Sequence, residues 1–599
     1  MLQFKCRNVL LGKDFDRNET FQIAISCRTR DILSKMLRFS ERKGHRVGML
    51  LGLRRTGKTF LLYQWLNSFP RDKTACITVS DNEQFSRVLS DLDLLLENGF
   101  KYVALDEITL CPGFISGAAC LSDKYASFGM KIFMTGTDSL SLSIAKNHAL
   151  FDRDITLHTS HIPYAEWSRL LKKESLDDYL HWGGLLSLEP TDGETENSVP
   201  MPWTENGRRT YFSSAISENI QNTLRNYADC DSSSELSLLV TKEKQTFGGI
   251  VYSEFSQTCG NDFFHALHIL SEQPSSLFQA ILQSSLNDDN HSLSHNVLAK
   301  KFKPSDISRT KSNLGRIDPA LADELQEIIQ AILPKVEETL HVQNRNAFSI
   351  GIDTLYSIEM YLKQLDVYDI YPARYLPPVD PSEKERLVYE KKNRDCRDTN
   401  LVCHPGLRYG QTDILRSILE EEMSIRQVET MQQSLILSIY DSTVLGIMLE
   451  ETVLHELMLA CRKVSGLSPE NKDWNENMGM PVRAMKLKTL ARNPGDPDKE
   501  IDIDLQDRRS LPARHYLFGV KHSARPDPVQ RRWLLDEDCM QRLCRGVDQV
   551  AATVVIYMGK ALTTEDGITY CNAEQFLNML HNDGLDHVLR HVANTSVAL

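Results

Sequence analysis

At 599 residues the chain is too long for one hydrophobic core, and at roughly 150 residues per domain it predicts about three to five domains. Hydrophobic residues make up 41% and charged residues 25%, which excludes fibrous, disordered and membrane-embedded classes. A formal net charge of −13 gives no global positive field, so attraction to nucleic acid or to an anionic membrane has to come from local patches.

The thirteen cysteines have no C-x-x-C spacing, and the closest neighbours are Cys396 with Cys403 and Cys539 with Cys544. Free thiols of a reducing compartment are expected. Met1–Arg7 is charged early and has no apolar signal core, and no uncharged apolar run has the length of a membrane span. The expected location is the cytoplasm, with no membrane partner.

In chain order, residues 1–44 predict a short strand and then an amphipathic packing helix through Ile32, Leu33, Met36 and Leu37. Val47–Leu51 is an apolar strand, and Gly52–Thr59 fits G-x-x-x-x-G-K-S/T at every fixed position before a helix that starts near Phe60. Gly52 and Gly57 let the backbone curl so that its N–H groups, those of Arg55 and Thr56 among them, meet phosphate oxygens. The helix dipole adds positive potential there. Lys58 is assigned to the β- and γ-phosphates and Thr59 to Mg²⁺.

Thr74–Val79 predicts a second strand and Asn82–Asn98 a helix with Leu89, Leu92, Leu95 and Leu96 on one stripe. Lys101–Leu105 is a strand that ends in Asp106 and Glu107. Ligands gather at the carboxyl ends of parallel strands, so Asp106 is placed to hold Mg²⁺ and Glu107 to polarise an attacking water. The intervening strand points to the additional-strand group of P-loop ATPases, to which AAA-type proteins belong. Lys131–Thr135 is the next strand, and Thr135 or Thr137 is expected between the P-loop and the acids, where a hydroxyl senses the γ-phosphate. Arg153, before a further strand, is a candidate to stabilise charge on the transferred phosphoryl group in cis or from a neighbouring copy.

These residues carry a resemblance. The runs Gly52–Thr59, Leu105–Phe114 and Lys131–Thr137 resemble a prokaryotic AAA-type ATPase family, as do Asp152-Arg153, Ile162–Trp167, Tyr179–Gly184 and the helix Tyr211–Tyr227. Members of that family join a P-loop core to a C-terminal region of winged-helix and restriction-nuclease-like character. The resemblance implies ATP and Mg²⁺ as cofactors, and a protein partner or DNA met through the C-terminal region.

The fold class expected is α/β: a P-loop additional-strand ATPase core with a parallel sheet, a helical and winged-helix region, and a small α/β restriction-nuclease-like domain. The boundaries expected are 1–165 for the core, 166–345 for a helical lid and insertion, 346–398 for the winged-helix-like segment and linker, and 399–599 for the nuclease-like domain. Lys300, Lys301 and Lys303, with Arg309 and Lys311, form a small basic cluster, read as a solvated face. Leu355, Ile358, Leu362 and Leu365 make a helical stripe before the strand Val367–Tyr371, but Asp353 and Glu359 against Lys363 make that helix a poor reader of DNA.

In restriction-type nuclease folds a helix acid, a strand Asp and an E-x-K on the next strand gather Mg²⁺. The resemblance assigns Glu450, Asp502 and Lys521 to those positions. Glu500, Asp502 and Asp504 alternate with aliphatic residues and are expected on one face of their strand. Gly519 stands where the E-x-K acid belongs, so the nuclease-like site is expected to be degenerate.

Overall fold

The computed structural model describes residues 2–80, 83–136, 140, 142, 145–146, 149–172, 175–186, 210–221, 244–272, 319–345, 352–378, 382–395, 399–468, 472–489, 499–526, 534, 536–544, 548–564 and 567–597. Thr137 and the basic cluster at Lys300, Lys301 and Lys303, with Arg309 and Lys311, lie outside the described residues. The chain divides into two compact units. The first is Met1–Glu174 with Trp182–Phe255 and Ala347–Tyr368; the second is Ser175–His181 with Ser256–Asn346 and Asp369–Leu599.

The first unit is built on the strands Asn8–Leu11 (β1), Val47–Leu51 (β2), Thr74–Thr78 (β3), Tyr102–Asp106 (β4), Lys131–Thr135 (β5) and Asp154–His158 (β6). Their order is β1-β3-β4-β5-β2-β6, with β1 antiparallel to β3 and the other pairs parallel. Strands covered on both faces read as continuous apolar runs. Here one face of the sheet, through Met49, Ile77, Leu105 and Met134, packs with Val88, Leu92 and Leu95 of the helix Phe85–Glu97. The other face, through Leu50, Cys76, Ala104 and Phe133, meets Met36 and Phe39 of the helix Ile32–Glu41 and Leu61 and Trp65 of the helix Lys58–Asn67. Gly48 is required in β2, because a Cβ there would lie 2.2 Å from the ring of Phe133.

The register brings the expected residues together. Leu50 pairs with Thr135, Leu105 with Met134 and Thr78 with Asp106, so the P-loop, Thr135 and Asp106 leave the ends of the neighbouring strands β2, β5 and β4.

In the second unit the strands are Tyr368–Tyr371 (β7), Ala373–Tyr375 (β8), Thr399–Val402 (β9), Val482–Thr489 (β10), Lys499–Asp507 (β11), Arg514–Lys521 (β12), Gln549–Tyr557 (β13), Leu562–Thr563 (β14) and Thr569–Asn572 (β15). Seven of them form a mixed sheet in the order β14-β15-β13-β12-β11-β10-β8, and β7 pairs with β9. The helix Thr430–Val464 packs on β10 and β12 and is apolar on most of its circumference, as a helix enclosed by protein must be.

Residues 346–398 are not a body of their own. The helix Ile352–Gln364 belongs to the first unit, whereas β8 pairs in parallel with β10 at the edge of the second unit's sheet. The local helix-then-strand pattern is present as Ile352–Gln364 followed by β7, and it is the next strand, β8, that joins the larger sheet. Alternation along β11 is also broken. Met485 pairs with Asp504 and Lys488 with Glu500, with a bulge between, so Asp504 and Glu500 sit opposite β10 residues that face different ways. The three acids therefore do not share one face.

Candidate functional site

The loop Gly52–Thr59 begins where β2 ends. Gly52 has φ +143°, and a Cβ there would lie 2.2 Å from Thr159 Oγ1; Gly57 has φ +84° immediately before the helix Lys58–Asn67. Both conformations favour glycine, and both bring backbone close to neighbouring atoms. The buried Lys58 donates from Nζ to the carbonyl oxygens of Gly52 (2.7 Å) and Leu53 (2.8 Å). Burial lowers its pKa to about 8, against the pull of the Glu107 and Asp106 carboxylates.

Thr59 Oγ1 donates to Asp106 Oδ2 (3.0 Å), and Thr135 Oγ1 donates to Asp106 Oδ1. The Glu107 N–H reaches Thr135 Oγ1 at 3.5 Å. Burial, with Glu107 as a neighbour, raises the pKa of Asp106, while the hydroxyls of Thr135 and Thr59 work the other way. Glu107 has φ +59° at the strand end. Thr135, the last residue of β5, meets Asp106.

Thr56 does not offer its side chain to a ligand. Its Oγ1 donates to Leu53 O (2.8 Å) and lies 2.6 Å from Thr159 Oγ1, leaving the backbone N–H as its contribution. Arg55 takes a left-handed φ of +65° and lines a cavity of about 780 Å³. Arg28, Arg54, Arg55, Lys58 and Lys172 bring positive charge to that wall, and Glu107 is its one carboxylate among the described residues. The donor set fits a polyphosphate with Mg²⁺: a glycine cradle, an ammonium resting on backbone oxygens, and a carboxylate bonded to two hydroxyls.

Arg153 falls elsewhere. Val47 pairs with Asp154 and Leu51 with His158, so Arg153 stands at the start of the strand whose far end neighbours the P-loop. At ~3.3 Å per residue the length of β2 separates them by about 13 Å or more. Arg153 pairs instead with Asp123 at 3.2 Å. The structure does not bring it to the P-loop of its own chain, so it cannot act there in cis.

Three contributors were missed. The buried Arg30 donates from Nη1 to the carbonyls of Thr56 (2.8 Å) and Thr159 (2.7 Å), while Nε bonds Glu166 at 2.9 Å. Tyr211 Oη donates to Arg54 O at 2.9 Å, and the Leu186 N–H to Arg55 O at 2.7 Å.

In the second unit Glu450, Asp502 and Lys521 do approach one another. Lys521 Nζ donates to Asp502 Oδ2 at 2.8 Å, and the Val520 N–H donates to the same oxygen at 2.7 Å. Glu450 is faced by Lys486, which also lies 3.6 Å from Glu500. Lys488 pairs with Glu500 at 3.2 Å. Burial, then the Asp502 and Glu500 carboxylates, push Glu450 up to about 7 against the pull of Lys486. The acids hold Lys486 ionised well above its ordinary value in spite of burial. Asp504 is turned into a separate buried network with His515 (2.9 Å) and Gln506 (2.8 Å). These residues do not fit a divalent metal, because each carboxylate of the cluster already has an ammonium partner. Among the described residues no group of three or more His, Cys, Asp or Glu is arranged to hold a metal ion. Lys486 and Lys488 alternate with Met485 and Leu487 opposite an acid-bearing strand, a cross-strand charge pattern that could have disclosed them.

A largely parallel sheet with β5 between the P-loop strand and the acid strand, and Thr135 at its end, fits a P-loop ATPase-like core. Residues 44–167 match the model of a family described as an AAA domain, a match that supports an AAA-type P-loop ATPase core in this part of the chain. No curated protein matches the chain. Among the described residues no helix is long and apolar enough to cross a membrane.

Proposed function

We propose that the chain binds ATP with Mg²⁺ at Gly52–Thr59, hydrolyses it, and uses the nucleotide state to switch its C-terminal region. The observation that carries this reading is the network in which Asp106 collects the hydroxyls of Thr59 and Thr135 beside Lys58. Mg²⁺ bound with the nucleotide supplies neutralising charge at the phosphates. The rest is the work of the chain. Loop N–H groups and Lys58, released from the Gly52 and Leu53 carbonyls, bind phosphate oxygens; Thr59 and Asp106 hold the metal. Glu107 accepts a proton from the attacking water at its carboxylate, and Thr135 orients Asp106. Switching is supported by the course of the chain. Glu166, the partner of Arg30, lies on the helix Tyr164–Leu171, and the next residues, Ser175–His181, belong to the second unit through Asp177–His522 (2.7 Å) and Leu176 N–Glu574 (2.9 Å).

Glu107→Gln keeps the shape and cannot take the proton. A fluorescent-nucleotide titration should show ATP still bound, while steady-state hydrolysis falls about 100-fold or more. Normal turnover by that variant refutes the assignment. If instead the wild type binds ATP and scarcely turns it over, with or without DNA, the chain is a nucleotide-binding scaffold.

A second reading, an ATP-gated DNA nuclease, is favoured by the approach of Glu450, Asp502 and Lys521 and opposed by Lys486 and Gly519. We expect little or no nicking of plasmid DNA with Mg²⁺ or Mn²⁺ in any nucleotide state. Robust cleavage abolished by Asp502→Ala would make the nuclease reading primary.

A further inference from the structure

Three consecutive carbonyls of the phosphate loop are held by donors from outside the loop. Arg54 O accepts from Tyr211 Oη at 2.9 Å, Arg55 O from Leu186 N–H at 2.7 Å, and Thr56 O from Arg30 Nη1 at 2.8 Å. All three donors lie outside residues 44–167, the span that matches the AAA domain. In a trans peptide the N–H points away from the carbonyl of the same plane. Fixing the carbonyls of residues 54, 55 and 56 therefore fixes the N–H directions of Arg55, Thr56 and Gly57. Those are N–H groups of the loop through which a phosphate is cradled.

The donors are well supported. Arg30 is 6% exposed and its guanidinium is bonded on its other edge to Glu166, so it cannot swing away without leaving a buried charge unpaired. Tyr211 is 2% exposed, on the described segment 210–221, which is separate in sequence from the matched domain. Arg55, whose carbonyl is one of the three, sits at φ +65°, a conformation that costs a non-glycine residue energy and persists only where surroundings enforce it.

We propose that Tyr211, with Leu186 and Arg30, is a positioning residue for nucleotide: it holds the loop so that the N–H groups of residues 55–57 are set before ATP arrives. The inference rests on the nucleotide-binding reading and deepens it. The segment after the matched domain thereby sets nucleotide affinity through backbone orientation, without touching the nucleotide.

Tyr211→Phe in the full chain removes one O–H and keeps the ring. Titration with a fluorescent ATP analogue should show the dissociation constant rise about fivefold, the value of one hydrogen bond of ~1 kcal/mol. Amide hydrogen exchange at residues 55–57 should accelerate, while the thermal midpoint falls by no more than about 2–4 °C, the cost of one buried hydrogen bond. Lys58→Ala is measured alongside. If Lys58→Ala abolishes binding and Tyr211→Phe leaves both affinity and exchange unchanged, the positioning role is wrong and the site stands. If Lys58→Ala changes nothing, the nucleotide reading itself fails. A lowered midpoint in Tyr211→Phe with unchanged affinity makes the tyrosine merely structural and overturns the proposal.

Discussion

Both units set lysines beside carboxylates, and they do so in opposite ways. In the first, Lys58 rests on the backbone oxygens of Gly52 and Leu53, while Asp106 holds the hydroxyls of Thr59 and Thr135. The strong charges are parked on neutral partners, which an arriving phosphate and its metal can displace. In the second, Lys486 meets Glu450 and Lys521 meets Asp502 directly. Those charges cancel one another, and a divalent ion would have to displace an ammonium. In this chain the lysine and the acid of the phosphate loop are not each other's partner, whereas those of the second unit are.

The largest expected effect comes from undoing the cancellation. Lys486→Met leaves Glu450 buried without its ammonium, and breaking such a pair costs about 3–5 kcal/mol. The sign follows from the raised pKa of about 7 for Glu450. A carboxyl raised on folding contributes stability below its unfolded value and loses it as pH rises through the folded value. The deficit of Lys486→Met should therefore be small at pH 5, large at pH 8, and partly recovered in Glu450→Gln/Lys486→Met. Thermal unfolding across pH measures it; an equal deficit at both pH values contradicts the account.

The same operation in the first unit has the opposite sign. Burial lowers Lys58 to about 8, so keeping it charged in the nucleotide-free fold costs on the order of 3 kcal/mol. Lys58→Met should stabilise the nucleotide-free protein at pH 7 while ATP affinity falls at least tenfold, ~1.4 kcal/mol or more. A base depressed on folding contributes stability at high pH and loses it as pH falls through about 8. Nucleotide needs the ammonium, so in wild type ATP affinity should drop about tenfold per pH unit above pH 8. Flat affinity from pH 7 to 9.5 by titration calorimetry would remove Lys58 from the phosphates.

The comparison also shows what the sequence could disclose. Phosphate binding needs particular residue types at fixed spacing within one short loop, so Gly52, Gly57, Lys58 and Thr59 are legible, and Asp106 follows from its place at a strand end. Arg153 lies away from its own chain's P-loop for a reason already in the pattern: it precedes its strand, whereas ligands collect where parallel strands end. Arg30, Leu186 and Tyr211 are invisible because they act on carbonyls, which no side-chain pattern encodes. The bulge in β11 is invisible too, since alternation in Glu500, Asp502 and Asp504 looks unbroken until the register with β10 is known.

The smallest effect tests how Asp106 is kept in its working state. Burial raises its pKa, and the Thr135 hydroxyl opposes that by donating to the ionised form. Thr135→Val removes the donor at nearly constant shape, and the cost should be that of one hydrogen bond, about 1 kcal/mol. Asp106 must be ionised to hold metal, so its pKa should rise further and the acid limb of the turnover profile should move to higher pH. The Mg²⁺ concentration for half-maximal hydrolysis should rise by up to about fivefold, with less effect as the pH rises. Thr135→Ser keeps the hydroxyl and should restore the wild-type profile. If valine and serine behave alike, Thr135 is a packing residue, and the first unit, like the second, holds an acid whose state the surrounding hydroxyls do not set.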